Sequence, residues 1–574
     1  MLLATRAVRL LPHEIPCCST ASLQALRRFH ATARSSTKPY YVTTPIFYVN
    51  AGIQPHIGHL HSLVLADVLK RYRHLRYGEH EPKPVLLTGT DEHGMKIQKA
   101  AQDQGVTPLA LCDRVSKRFE ALAKAANIDN DVFYRTTNPQ HVKVVQDVWR
   151  QLEAKDLIYK ASYEGWYSVS DEAYYTASQI RTEEGPNGPI KVAIESSQPV
   201  EWTSEENYMF RLSRFREPLI NWLKENPTVI RPAVRYNEVL SYLEAGELGD
   251  LSISRPRSRL QWGIEVPDDP SHTIYVWMDA LINYLSYTGY PDNHFQLWPA
   301  NTHVIGKDII RFHAVYWPAI LMALDLPLPK HILAHAHWTM DNFKMSKSRG
   351  NVVNPFEALK DFSIDGIRFF LMARGGLSSD SNFAPEHVAR DYRKYLAGQA
   401  GNTLQRLQSK VMLRKMAAAA DCTQNLRNPI NTEEASLRNC VQALPDVFHS
   451  RMGVQDISGA IEAVTDCLAE INAYIARCEP WKLEDPRELA GVLSHTIEGL
   501  RRSAILLQPI IPQASKELLA GLGYIKPPTW TEVKNDYTID GMRRIMDSVK
   551  QHGTSKPVFP RLAASAEASP GSPP

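Results

Sequence analysis

The tightest constraint on the fold lies near the start of the chain, where two strand-like runs bracket a loop and a helical run. Tyr40-Tyr41-Val42-Thr43-Thr44 is aromatic and β-branched, and it leads into a loop holding Pro45, Asn50 and Gly52. Gly58 to Arg76 carries Leu60, Leu63, Val64, Val68 and Leu75 at helical spacing, and Pro84-Val85-Leu86-Leu87-Thr88 follows as a second strand. That order opens a βαβ unit and predicts a parallel sheet of the nucleotide-binding kind. From about 129 to 249 the pattern is mixed, with aromatic clusters and a Gly185-Pro186-Asn187-Gly188 turn, and reads as an insertion into the sheet domain. Strand signals resume with Ile274-Tyr275-Val276-Trp277, then a helix from Asp279 and the strand His303-Val304-Ile305. From about Val388 nearly to Gly523 the chain reads as helical, with Leu404, Leu407 and Val411 on one face and Asn402, Arg406 and Lys410 on another.

Charge divides the chain unevenly. The first 38 residues hold Arg6, Arg9, Arg27, Arg28, Arg34 and Lys38 against the single acid Glu14, and they are rich in Ser and Thr. That is the composition of a mitochondrial import leader; a basic tail that binds nucleic acid is the competing reading. Without this segment the formal net charge falls from +3 to −2, so any nucleic-acid binding has to come from local patches. The seven cysteines include no Cys-x-x-Cys pair and none between Cys112 and Cys422, which excludes a zinc ribbon there and argues against a disulfide framework. No apolar run approaches the roughly 20 residues that span a bilayer, so no membrane segment is expected. A length of 574 residues suggests roughly three or four structural units.

Two short motifs carry chemistry. His56-Ile57-Gly58-His59 stands where the first loop turns into the helix, so two imidazoles meet free backbone N–H groups that already favour phosphate. Gly58 lets a nucleotide approach the backbone. Lys344-Met345-Ser346-Lys347-Ser348-Arg349-Gly350 puts two lysines among small hydroxyl residues ahead of a glycine, which suits a mobile loop that carries cations onto phosphates. Either string alone is weak, since histidine pairs and basic runs are common on ordinary surfaces.

Together the two motifs resemble those of class I aminoacyl-tRNA synthetases, and further strings resemble the methionyl branch of that class. These are Thr43-Thr44-Pro45-Ile46-Phe47-Tyr48-Val49-Asn50, Thr88-Gly89-Thr90-Asp91-Glu92-His93-Gly94, Asp250 to Arg255, Trp277-Met278-Asp279-Ala280 with Tyr284, Gly306-Lys307-Asp308-Ile309 and Phe312 to Trp317. The likeness spans about 40 to 560. It implies an α/β fold: a Rossmann-like parallel-sheet catalytic domain split by an inserted connective domain and followed by an α-helical anticodon-binding domain. The expected boundaries are a leader over 1–38, the catalytic domain over 39–128 and 250–325, the connective insertion over 129–249, a linking region with the lysine loop over 326–387, the helical domain over 388–551 and a tail over 552–574.

The resemblance also implies roles. His56 and His59, with Lys344 and Lys347, would stabilise the ATP phosphates, while Gly58, Gly306 and Asp308 would complete the nucleotide site. Asp91 would meet the ammonium group of methionine, and Ile46, Tyr48, Trp277, Ala280, Tyr284, Phe312 and His313 would surround its side chain, with Trp317 a further candidate. Tyr48 or His313 could donate a weak hydrogen bond to the thioether sulfur. Asn402, Arg406, Pro480 and Trp481 would read the anticodon, the indole as a stacking plane and the polar pair as edge readers. Methionine, ATP with Mg2+ and tRNA(Met) are the expected ligands, a monomer the expected state, and the mitochondrial matrix the expected site. Two departures stand out: the loop Asn50–Pro55 is about two residues longer than usual for the family, and the insertion offers Trp166, Tyr167, Ser168 and Tyr175 where many relatives carry zinc-binding cysteines. No structural zinc is expected. A synthetase for leucine, isoleucine, valine or cysteine and a non-catalytic RNA binder are the alternatives; the pocket strings and the absence of a large editing-size insertion argue against the branched-chain enzymes, the missing cysteine ligands against the cysteine enzyme, and the intact histidines and lysines against the RNA binder.

Overall fold

The computed structural model describes residues 38–562 apart from 50–53, 169–172, 176, 186–187, 195, 247, 346–350, 423–431 and 535–539. The leader up to Thr37 and Lys347 therefore lie outside the described residues. Six parallel strands form the central sheet: β1 (Tyr41–Tyr48), β2 (Val85–Asp91), β3 (Val132–Arg135), β4 (Ile230–Arg231), β5 (Thr302–Gly306) and β6 (Ile332–His335), in the spatial order β3-β2-β1-β5-β6-β4. Adjacent residues on a strand point to opposite faces, and each face is covered. Val42, Leu86, Val304 and Leu333 join one core with helix Ile57–Tyr77 and the C-terminal helices. Tyr41, Leu87, Ile305 and Ile332 join a second core with helices Pro139–Ala154 and Val276–Ser286. Burial on both faces explains why these strands read as continuous apolar runs.

The sequence order of the strands reverses between β1 and β5, and ligands of open α/β sheets bind at the C-terminal ends of such a switch point. Helix Ile57–Tyr77 leaves this point and is buried on several sides, including at Ser62, Asp67 and Lys70, because the sheet covers one side and the helical region another.

Two features differ from the sequence reading. The segment 129–249 is not wholly separate from the sheet, since it contains β3 and β4, the two edge strands. Between them lie three strands of a four-stranded antiparallel sheet, with Ile158–Ser168 paired with Glu201–Phe210; Leu251–Ser252 adds the fourth. Ile274-Tyr275-Val276-Trp277 is not one strand: the strand Asp269–Ile274 is antiparallel and outside the main sheet, and Val276–Ser286 is a helix. A short apolar, β-branched run cannot be told from a buried helix by periodicity, and every residue from Met278 to Ser286 is buried. The start of the C-terminal tail packs: Ser555 N donates to Gln408 Oε1 at 2.8 Å, Tyr392 Oη donates to Pro560 O at 2.9 Å, and Phe559 is buried. Among the described residues no helix is long and apolar enough to cross a membrane.

Candidate active site

At the head of helix Ile57–Tyr77 the two histidines cap one another's backbone. His56 Nδ1 accepts from Gly58 N at 3.1 Å, and His59 Nδ1 accepts from His56 N at 3.1 Å. A neutral imidazole that accepts at Nδ1 carries its proton on Nε2, so the caps fix both rings in the tautomer that presents an Nε2–H donor. The rings stack with centroids 3.7 Å apart, and His59 also lies edge-on to Phe47 and Phe119. Burial, and then His56, hold His59 well below the ordinary histidine pKa, with Asp308 pulling the other way. The donor is therefore neutral near pH 7. A Cβ at Gly58 would come within 3.0 Å of His56 Cε1, so a side chain there would crowd the ring that caps the helix.

Across the switch point, β5 ends at Gly306 and the chain turns through Lys307 and Asp308. Asp308 Oδ1 accepts from His337 Nε2 at 3.1 Å. The surrounding protein tends to raise the carboxyl pKa, but the His337 hydrogen bond and charge outweigh it, and Asp308 is held at about 2. A Cβ at Gly306 would stand 2.5 Å from Asp308 Oδ1 and displace it. Asp380 Oδ1 accepts from both Lys307 Nζ at 2.6 Å and His337 N at 2.9 Å, which ties the crevice wall to the segment that follows β6. In that segment Trp338–Met340 and Phe343–Lys344 form a hairpin whose turn residues Asp341 and Asn342 both have positive φ, the backbone a tight two-residue hairpin needs. Lys344 thus ends a strand rooted beside Asp308.

Tyr48 and Asp91 are partners in register at the C-terminal ends of β1 and β2. Behind them, helix Val276–Ser286 brings Trp277, Ala280 and Tyr284, and a π-helical turn, Phe312–Tyr316, brings Phe312 and His313. Trp277 and Phe312 stack at 3.6 Å and 11° and are half-buried. Tyr284 Oη lies 2.7 Å from His313 Nε2, and His313 Nδ1 donates to Ile309 O at 3.0 Å. Burial lowers the His313 pKa to about 4, so the ring is neutral and its Nε2 accepts from Tyr284. Both ring nitrogens are then engaged, and His313 has no proton to offer a thioether in this arrangement. Trp317, a further pocket candidate, is fully buried and donates to His303 Nε2 at 3.2 Å, which makes it core.

The family model described as tRNA synthetases class I (M) matches residues 40–408. A probable mitochondrial methionine–tRNA ligase of Neurospora crassa is 44% identical, the alignment covering 87% of this chain and 83% of that protein. The chain belongs to the class I methionyl-tRNA synthetase family. The mitochondrial methionine–tRNA ligase of Mus musculus is 45% identical, with 84% of each chain covered. The methionyl-tRNA synthetase of Mycobacterium tuberculosis, solved with methionyl-adenylate, superposes with a TM-score of 0.78 at 35% identity, covering 87% of this chain and 97% of that one.

In the helical region of this synthetase, Asn402 and Arg406 stand one turn apart on helix Asn402–Leu407, half-buried and exposed respectively. Glu479 ends helix Ile457–Cys478 in the left-handed region, Pro480 is buried, and Trp481 is left 40% exposed. That helix lies against the turn before Asn402, with Asn472 Nδ2 donating to Gln399 O at 3.4 Å. Among the described residues no group of three or more His, Cys, Asp or Glu could hold a metal ion. Sequence reasoning missed His337 and Asp380, which set Asp308, and the Ser62–His335 contact of 2.7 Å beside the switch-point crevice. No motif marks them; the pairing of β6 with β5 brings His335 and His337 near, and the pairing of Trp338 and Thr339 with Ser381 and Asn382 brings in Asp380.

Proposed function

We propose that this chain joins L-methionine to tRNA(Met) through a methionyl-adenylate. The observation that carries the reading is the pair of capped imidazoles at the sheet's switch point, with His59 held neutral and electrostatically coupled to Asp308 across it. Asp308 accepts the ribose hydroxyls of ATP, and Gly306 keeps its carboxylate in place. The methionine carboxylate is already ionised at neutral pH and attacks the α-phosphate without a general base. His56 and His59 donate to the phosphate oxygens as charge builds, and Lys344 and Lys347 close on the leaving pyrophosphate. Asp91 binds the substrate ammonium, while Ile46, Tyr48, Trp277, Ala280, Tyr284, Phe312 and His313 enclose the thioether. Mg2+ enters with the nucleotide phosphates. A terminal ribose hydroxyl of the tRNA then attacks the activated carbonyl and AMP leaves. The enzyme acts as a monomer in the mitochondrial matrix, where residues 1 to about 38 direct it.

The helical domain selects the tRNA by a few direct base contacts: Trp481 offers a stacking plane, Asn402 and Arg406 read base edges, and Pro480 holds the indole outward. Stacking on an aromatic side chain is worth roughly 1–3 kcal/mol per base, so Trp481→Ala lowers charging of tRNA(Met) by about one to two orders of magnitude. Pyrophosphate exchange without tRNA stays near wild type, because adenylate forms in the other domain. Parallel charging and exchange assays check this. Failure of the wild-type protein to esterify methionine to tRNA(Met) would remove the proposed function, and equal losses in both assays for the variant would make Trp481 a packing residue.

A further inference from the structure

Asp279 stands between two residues of the proposed pocket, and its own side chain points elsewhere. Its carboxylate is 1% exposed, and each oxygen meets a histidine from a distant part of the chain. Oδ2 is 2.6 Å from His93 Nδ1, and Oδ1 is 2.6 Å from His141 Nε2. His141 is fully buried, and its Nδ1 lies 2.9 Å from Ser286 Oγ, at the far end of Asp279's own helix. A buried carboxylate satisfied on both oxygens can keep its charge. Burial pushes its pKa up, yet His93 and His141 hold it below the ordinary carboxylate value.

Three elements meet at this carboxylate. His93 lies two residues beyond Asp91, just past the end of β2. Asp279 lies in the first turn of the helix that carries Trp277, Ala280 and Tyr284. His141 comes from helix Pro139–Ala154, which packs behind both. The ammonium end of the substrate belongs to the first element and its side-chain tip to the second, so the spacing of the two decides what length of amino acid fits. A closed crevice holds that spacing only if something rigid spans it, and short charge-assisted hydrogen bonds are the stiffest contacts available.

We propose that Asp279 is a positioning residue: clamped by His93 and His141, it fixes the distance between the ammonium-binding end of β2 and the thioether pocket, and so gauges substrate length. This rests on the reading of methionine as substrate. The clamp touches no reacting atom; it acts through Asp91 on one side and through Trp277, Ala280 and Tyr284 on the other.

The test uses the full-length protein and Asp279→Asn, which keeps the shape and removes the charge. In tRNA-free pyrophosphate exchange, the KM for methionine rises about tenfold or more while the KM for ATP stays within about twofold. A pocket commonly separates substrates differing by one methylene by about 10–200-fold. Asp279→Asn lowers the kcat/KM preference for methionine over ethionine, which is longer by one methylene, by about tenfold. His141→Gln, which leaves the carboxylate bonded to His93, gives the same signature more weakly and serves if Asp279→Asn does not fold. An unchanged methionine KM with unchanged discrimination overturns the proposal. So does an equal rise in both KM values with a lowered melting temperature, which would mark a plain structural brace. If the wild type activates an amino acid other than methionine, the substrate reading itself falls; if it activates methionine and the variants match it, only the clamp does.

Discussion

Arg368→Ala lowers the stability of the folded chain by about 3–5 kcal/mol, the usual cost of removing one partner of a buried ion pair. The guanidinium is fully buried and reaches across three segments of the chain. It bonds Asp67 Oδ2 at 2.6 Å and donates to Pro509 O at 2.9 Å, Ile510 O at 2.8 Å and Ala126 O at 3.3 Å. Asp67 is itself fully buried, so its charge would be left with Arg71 and the Asp129 amide alone, and three carbonyls would lose a donor. These contacts tie the helix that follows His56 and His59 to the C-terminal helices, so the loss also loosens the two regions from one another. Denaturant unfolding of the wild type and the variant measures it. A difference under about 1 kcal/mol would show that water or a neighbouring cation replaces the guanidinium.

Lys347→Ala slows adenylate formation by roughly a hundredfold, since loss of one transition-state contact commonly costs ~3 kcal/mol. The KM for methionine changes little, because in the proposed role the lysine acts when charge develops on the phosphates and not in the ground state. The structure supports this from the root of the loop. The hairpin ending at Lys344 pairs through Trp338 and Thr339 with Ser381 and Asn382, next to Asp380, which holds Lys307 and His337 beside Asp308. Single-turnover rates at saturating methionine and ATP decide it: an unchanged rate removes Lys347 from the chemistry, and a loss confined to the methionine KM makes it a binding residue.

What could be read from the sequence follows what local pattern encodes. Helix Ile57–Tyr77 is legible because its apolar residues recur at helical spacing, and Tyr41–Tyr48 and Val85–Asp91 because they are aromatic or β-branched runs with turn residues beside them. Trp277 misled because a buried helix and a buried strand share the same apolar run, and only the tertiary setting separates them. The two-residue β4 has no period to detect, yet it closes one edge of the sheet. Candidate residues could be picked out where they lie in contiguous strings, as His56, His59 and Asp308 do. The partners that set their state are scattered: His337 on Asp308, His93 and His141 on Asp279, and Arg368 on Asp67 are joined only by the folded topology. The donor role for His313 fails for a similar reason, since both of its ring nitrogens are engaged by Ile309 and Tyr284.

Amino-acid-dependent ATP–pyrophosphate exchange, run without tRNA against each of the twenty amino acids, tests the central claim most directly. On the proposed assignment the switch-point crevice supplies phosphate donors and a ribose acceptor, and the Trp277, Tyr284 and Phe312 pocket supplies the selectivity, so methionine alone should drive rapid exchange. Faster exchange with leucine, isoleucine, valine or cysteine would contradict the pocket assignment, and no exchange with any amino acid would contradict the adenylate chemistry itself.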